Sequence, residues 1–240
     1  MSIYLEGSIQ EEEEISLASK ARGEISFIQH NVGKRQEAQQ TLLEIGFRRK
    51  TDIILVQEPS TWKDRQKGSY FSIPHPAFNL ILPSNLAIRP RVAIYIRKTS
   101  SSFLQYRNRE DICKDTDTIA LEIYGQFERF LLLNIYNERQ LDENSRTQRN
   151  STTTISRAIL ELELDLPFVL IGDYNLHHTW WNASAKNPTK EAKELVGWLD
   201  THNCQLLNLD KQEGTFYRSN IREKSIIDLA FYSGNFQENT

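Results

Sequence analysis

From Ile25 onward the chain is a succession of short, β-prone apolar runs, and the sharpest of them end on an amide or a carboxylate. The runs cover residues 25–30, 52–57, 91–96, 118–124 and 129–136, then 168–171, 205–207, 214–218 and 226–232. Apolar runs of this length, bounded by turn-forming residues, read as buried strands. Helical spacing appears only between some of them. Ala38, Leu42 and Ile45 predict a helix over 36–49, and Ile155, Ile159 and Leu162 predict one over 145–163. Ala192, Leu195, Val196 and Leu199 predict a third over 189–201. Gly46 inside the first costs about 1 kcal/mol relative to alanine. Pro74, Pro76, Pro83 and Pro90 predict a loop over 72–90. Strands concentrated in mid-chain, with helices to either side, do not make regular βαβ alternation. They point to an α/β fold of four layers, α-β-β-α: two packed mixed sheets flanked by helices.

A chain of 240 residues and 28.0 kDa suits one such domain. We place it over 25–240, behind a flexible acidic extension, 1–24, that carries Glu11–Glu14. A hydrophobic fraction of 39% against 25% charged residues is that of a globular core. The net charge of -3 argues against a protein that coats nucleic acid by charge alone. It leaves room for a nuclease, whose carboxylates a bound metal partly neutralises. No apolar run approaches the ~20 residues that span a bilayer, and the first residues lack the pattern of a secretory signal. The expectation is a nuclear or cytoplasmic protein with no membrane partner. Cys113 and Cys204 are far apart, outside any Cys-x-x-Cys pair, and are read as buried thiols.

The strand ends carry the chemistry. Residues 25–30 run into Asn31, 53–57 into Glu58 and Pro59, and 168–172 into Asp173-Tyr174-Asn175. Ligands of α/β sheets bind outside the carboxyl ends of strands, so Asn31, Glu58, Asp173 and Asn175 can surround one cleft. Oxygen donors of this kind suit a hard cation, Mg2+ or Mn2+, held by one or two carboxylates with water and substrate phosphate. Taken singly, each residue has a plainer reading: Asp173 as a turn cap, Asn31 as a loop satisfier, Glu58 as a solvated charge.

Five blocks in order, Gln29-His30-Asn31-Val32, Val56-Gln57-Glu58-Pro59, Asn134-Ile135-Tyr136-Asn137, Gly172-Asp173-Tyr174-Asn175 and Ser225-Ile226-Ile227-Asp228, resemble the signature blocks of the endonuclease/exonuclease/phosphatase superfamily. That superfamily includes DNase I, the AP endonucleases and inositol polyphosphate phosphatases. Leu176-His177-His178-Thr179-Trp180-Trp181, with Gly214-Thr215-Phe216 before the last block, is similar to the endonucleases of non-LTR, LINE-type retrotransposons. The resemblance implies a DNase I-like sandwich and a set of roles. Glu58 would be the main metal ligand with Asn31 beside it. Asp173 would deprotonate the attacking water, Asn175 would hydrogen-bond the scissile phosphate, and Tyr136 would sit near its developing charge. Asp228 would orient a histidine, and Thr215, Ser225, His177 and His178 would contact substrate.

One block of the pattern is not matched. The superfamily keeps a Ser-Asp-His block one loop beyond the strand that carries Asp228, whereas the histidines here are His30, His75, His177, His178 and His202. The expectation is a domain incomplete at its carboxyl end, short of its last edge strand. Loss of one positioned proton donor or charge stabiliser costs about 10²- to 10⁴-fold in rate. Adjacent histidines on one loop seldom face the same ion, so His177 and His178 are read as packing or DNA contacts rather than zinc ligands. Trp180 and Trp181 are read as core before base-stacking residues.

The leading expectation is a Mg2+-dependent endonuclease that nicks double-stranded DNA, derived from a retrotransposon and followed by a reverse-transcriptase region in a longer product. A phosphatase of inositol or another small phosphate is the alternative within the superfamily. A catalytically dead remnant that binds DNA or protein is the alternative outside it.

Overall fold

In the computed structural model, residues 2–4, 25–100, 104–125, 129–138, 153–183, 185–207, 216–218 and 221–234 are described, with 2–4, 216–218 and 221–225 as backbone only. Among the described residues fifteen strands run in chain order. They are β1 (Ser2–Tyr4), β2 (Ser26–Asn31), β3 (Ile53–Gln57), β4 (Thr61–Lys63), β5 (Tyr70–Ser72), β6 (Phe78–Ile81), β7 (Val92–Arg97) and β8 (Gln105–Asn108). They continue with β9 (Thr118–Tyr124), β10 (Arg129–Tyr136), β11 (Phe168–Asp173), β12 (Cys204–Leu206), β13 (Phe216–Arg218), β14 (Ile221–Ser225) and β15 (Asp228–Ser233).

Two sheets face each other. The first has the order β1-β2-β3-β7-β6 and the second β12-β15-β11-β10-β9-β8. In the first, β2 and β3 are parallel and β7 is antiparallel to β3. In the second, β10 and β11 are parallel and β15 is antiparallel to β11. Helix α1 (Gln36–Arg48) lies on the outer face of the first sheet, where Leu42 and Leu43 bury against Ile54 and Val56. Helix α2 (Lys190–Thr201) and a wide turn at Ile155–Ile159 cover the outer face of the second, burying Leu195 and Ile159 with Leu131, Leu133 and Leu170. The result is the expected four-layer α-β-β-α sandwich. Because both faces of each sheet are covered, the central strands are buried at nearly every position rather than at alternate ones.

The inner faces build the central core. Phe27, Ile53, Leu55 and Ile94 pack against Leu121, Leu132, Val169, Ile171 and Ala230. Side chains alternate along a strand, so the same inner face continues from Phe27 to Gln29 and Asn31, and from Leu132 to Asn134 and Tyr136. It likewise runs from Ile171 to Asp173 and from Ala230 back to Asp228. The core therefore turns from hydrocarbon to amide to carboxylate toward one end.

Three sequence expectations change. The proline-flanked stretch 72–90 is not all loop, since β6 pairs with β7 between Pro76 and Pro83. Prolines bracket an edge strand here without sitting in its hydrogen-bond ladder. Within 1–24, Ser2–Tyr4 forms an edge strand parallel to β2, because that edge offers unpaired backbone groups to any β-prone segment. The rest of the extension lies outside the described residues. Of the helix expected over 145–163, the described part holds only the turn at Ile155–Ile159, and its stripe of Ile155, Ile159 and Leu162 is buried as predicted. No helix among the described residues is long and apolar enough to cross a membrane.

Candidate active site

Parallel pairing puts the carboxyl ends of β2 and β3 together, with Asn31 opposite Gln57, and those of β10 and β11 together, with Tyr136 opposite Asp173. The two ends meet. The Asn31 amide Nδ2 donates to Asp173 Oδ2 at 2.8 Å, a bond between the two sheets. Asp173 is only 3% exposed, and its other oxygen accepts the Asn175 backbone N–H at 3.0 Å. Both carboxyl oxygens are thus held in place by donors. Asn175 Nδ2 donates to the Asn137 carbonyl at 2.8 Å, and Asn137 Nδ2 to the Tyr174 carbonyl at 2.9 Å. Asp228 sits opposite Asp173 in the β11–β15 ladder.

Glu58 leaves the end of β3 with its backbone in the left-handed region, φ 47°, and Asn175 does the same after β11 with φ 50°. Asparagine tolerates that region, whereas glutamate there is strained by about 1 kcal/mol or more. Backbone bonds hold the strained residue. Glu58 N–H donates to the Arg91 carbonyl at 2.7 Å, and the Glu58 carbonyl accepts the Lys34 N–H at 2.7 Å. Its carboxylate pairs with the Lys34 ammonium at 2.8 Å, the Glu58 side chain being 18% exposed and that of Lys34 48%.

Tyr136 lies between these charges. Burial first, then the negative charges of Glu58 and Asp173, push its phenol well above the ordinary tyrosine range, against the pull of Arg91. The Arg91 guanidinium lies over the Tyr136 ring at 5.0 Å. That guanidinium is itself held by Asp117 at 3.0 Å and Glu138 at 2.5 Å, and Asp117 also binds Arg157. Tyr136 is therefore a neutral hydroxyl donor facing two carboxylates.

Beneath the mouth runs a buried relay of amides. Gln29 Nε2 donates to Asp228 Oδ1 at 2.8 Å and to Gln57 Oε1 at 2.7 Å. Gln57 Nε2 donates to Asn134 Oδ1 at 2.6 Å, and Asn134 Nδ2 to the Ala93 carbonyl at 2.9 Å. None of Gln29, Gln57, Asn134 or Asn137 stood among the expected site residues. For the three relay amides a signal existed: each occupies an inward position at the end of an apolar run, where an unpaired amide would be costly.

The structure brings Asn31, Glu58, Tyr136, Asp173, Asn175 and Asp228 to one mouth between the sheets. The substrate candidates divide. His177 is exposed, and His178 accepts the Trp180 backbone N–H through Nδ1 at 3.1 Å and leans on the Trp181 ring at 5.3 Å. Trp181 is buried, whereas Trp180 is 39% exposed. Thr215 lies outside the described residues, and Ser225 ends β14 with only its backbone described.

Among the described residues no group of three or more histidine, cysteine or carboxylate side chains is placed to hold a metal ion. A cation at this mouth would rest on the Glu58 carboxylate and the Asn31 amide oxygen, with water and substrate phosphate completing its shell, as Mg2+ prefers. The donors fit. The Glu58 oxygen already faces one positive charge, the Lys34 ammonium. Asn31 Oδ1 accepts one bond, from Gly33 N–H at 2.9 Å, and keeps a second lone pair.

Residues 130–240 match a family model described as endonuclease-reverse transcriptase. Among solved structures, the chain is similar to the endonuclease domain of TRAS1, a telomere-specific non-LTR retrotransposon, at 17% identity over 87% of this chain and 84% of that one, with a TM-score of 0.63. It is similar to the AP endonuclease LMAP from Leishmania major at 13% identity, over 87% of this chain and 78% of that one, with a TM-score of 0.55. The TDP2 of D. rerio, solved with a single strand DNA product, gives 13% identity over 87% and 83% and a TM-score of 0.50. At such identities the likeness is one of fold. No curated protein matches the sequence.

Proposed function

We propose that this chain, whose four-layer sandwich resembles those of the endonuclease/exonuclease/phosphatase superfamily, hydrolyses the phosphodiester backbone of double-stranded DNA. The observation that carries the reading is the 2.8 Å bond from Asn31 to Asp173 across the two sheets, with Glu58 and Tyr136 beside it. It fixes a buried carboxylate at the mouth of a cleft, oriented by two donors. In-line attack on a phosphodiester needs a base for the water, donors for the growing negative charge and a Lewis acid on a phosphoryl oxygen.

Asp173 takes the proton of the attacking water. Its bonds from Asn31 and the Asn175 N–H aim its remaining lone pairs, so little reorganisation is needed at the moment of transfer. Tyr136 donates its hydroxyl toward the phosphoryl oxygens, and the Asn175 side-chain amide lies at the same edge. Asp228, held by Gln29, closes the far side. Mg2+ or Mn2+ on Glu58 and Asn31 would supply Lewis acidity to the phosphate.

The surface beside the site supports a polyanionic substrate. The hairpin β4–β5 begins three residues after Glu58 and exposes Lys63, Arg65 and Lys67 against Asp64 alone, with Trp62 49% exposed next to them. In a chain of net charge -3 this is a local excess of positive charge suited to DNA phosphates. The family match over 130–240 and the likeness to the TRAS1 domain favour an element-encoded enzyme that works with a reverse-transcriptase region. A second reading, a phosphatase of inositol or another small phosphate, draws on a cleft of about 390 Å³ lined by Tyr70, Arg89, Arg91 and Asp117.

Supercoiled plasmid and a panel of inositol phosphates, each with Mg2+, separate the readings. With the histidine block unmatched, we expect slow nicking that falls by at least a further factor of about 100 in Asp173→Asn. Phosphate release without nicking gives the phosphatase reading. An Asp173→Asn protein as active as the native one overturns both.

A further inference from the structure

We infer that Lys34 is a tethered counter-cation of Glu58 that competes with the divalent metal for that carboxylate and, once displaced, binds a phosphate of the substrate. The inference rests on reading Glu58 as the metal ligand. Lys34 Nζ stands 2.8 Å from Glu58 Oε1, where a divalent ion would coordinate. A divalent ion and an ammonium cannot share one carboxylate oxygen at such distances without strong repulsion, so arrival of the one requires departure of the other.

The turn that carries Lys34 is built for this contact. Gly33 and Lys34 both lie in the left-handed region, with φ of 56° and 63°. Glycine takes that conformation freely, and lysine does not. Two hydrogen bonds hold the strained turn to the end of β3, Val32 N–H to the Gln57 carbonyl and Lys34 N–H to the Glu58 carbonyl at 2.7 Å, and Arg35 N–H to the Val32 carbonyl at 3.1 Å closes the turn on itself. The Lys34 backbone is thereby fixed beside Glu58, while its half-exposed side chain keeps a flexible four-carbon stem. The two partners differ in freedom. The Glu58 backbone is pinned through its N–H and its carbonyl, and its side chain is mostly buried, so the ammonium is the partner that moves. A phosphate brought to a cation on Glu58 lies within reach of the released ammonium, which exchanges one anionic partner for another.

Mn2+ binding to the full chain without DNA, followed by titration calorimetry, tests the competition directly. We expect Lys34→Met to tighten Mn2+ by about ten-fold, the effect of removing one adjacent positive charge. Lys34→Arg, which keeps the charge, should stay within about two-fold of the native chain. Duplex binding in Ca2+ as a function of salt should show Lys34→Met with a log-log slope smaller by about one phosphate contact. Unchanged or weaker Mn2+ binding by Lys34→Met, with Glu58→Gln abolishing it, overturns the role of Lys34 and leaves Glu58 as the ligand. Native-like Mn2+ binding by Glu58→Gln overturns the metal site itself and the inference with it. Lys34 is exposed enough for Lys34→Met to fold, and an unshifted thermal midpoint confirms it.

Discussion

The side chain of Gln57, at the end of one sheet, donates to the side chain of Asn134 in the other at 2.6 Å, and both residues are fully buried. Sheets packed through aliphatic side chains alone can slide by small steps at little cost. A directional bond between them does not permit this. Gln57 also accepts from Gln29, which holds Asp228, so the relay sets the register in which the two halves of the mouth meet.

Replacing Gln57 with leucine removes both bonds and strands buried polar atoms on Gln29 and Asn134. We expect a loss of about 2–4 kcal/mol of stability, measured by urea unfolding. A loss under about 0.5 kcal/mol would mean the relay holds nothing together.

Gly172 of β11 lies opposite Ile135 of β10. A Cβ there would meet the Ile135 carbonyl oxygen at 2.0 Å, a backbone atom with nowhere to go. Gly172→Ala should cost about 3 kcal/mol or more and dislodge Asp173, its neighbour. Gly197 in α2 is the control, since a Cβ there meets nothing within 4 Å. Gly197→Ala should stabilise by about 1 kcal/mol, and chemical denaturation of the two variants side by side checks the contrast.

Tyr174 is fully buried, and its hydroxyl has no hydrogen-bond partner among the described residues. Burial, with a smaller contribution from nearby Cys204, pushes its pKa well above the usual value. The folded chain therefore keeps this proton when the unfolded chain has lost it. The associated stability is intact below about pH 10 and falls as pH rises beyond it. Tyr174→Phe should raise stability at pH 7 by about 1 kcal/mol, because the stranded hydroxyl is gone, and should flatten the alkaline decline. Unfolding free energy from pH 7 to 11 shows both effects, with Tyr95 and Tyr136, also raised by burial, sustaining the remaining slope.

The layers and most catalytic candidates were legible because they are written in patterns of fixed period. Apolar runs with polar ends locate β2, β3 and β11 together with Asn31, Glu58 and Asp173, and helical stripes locate α1 and α2. Short edge strands left weaker traces. The runs at β4, β5, β6 and β8 span three or four residues each, with exposed positions and few aliphatic side chains, and for them pairing with a neighbour decides the structure. The Lys34–Glu58 pair was illegible for another reason. A left-handed backbone at a lysine has no signature in composition or spacing, and the contact exists only once the turn after β2 is bonded to the end of β3.

The parallel pairs β2–β3 and β10–β11 send four carboxyl ends the same way. Their amino ends, and the connections that feed them near Lys50, Gly125 and Asp165, open on the opposite side of the molecule. Added sequence at those connections is remote from the candidate catalytic groups, and surface connections of this kind tolerate lengthening well. One pole of the protein thus gathers the candidate catalytic groups, while the other presents connections that can lengthen without reaching them.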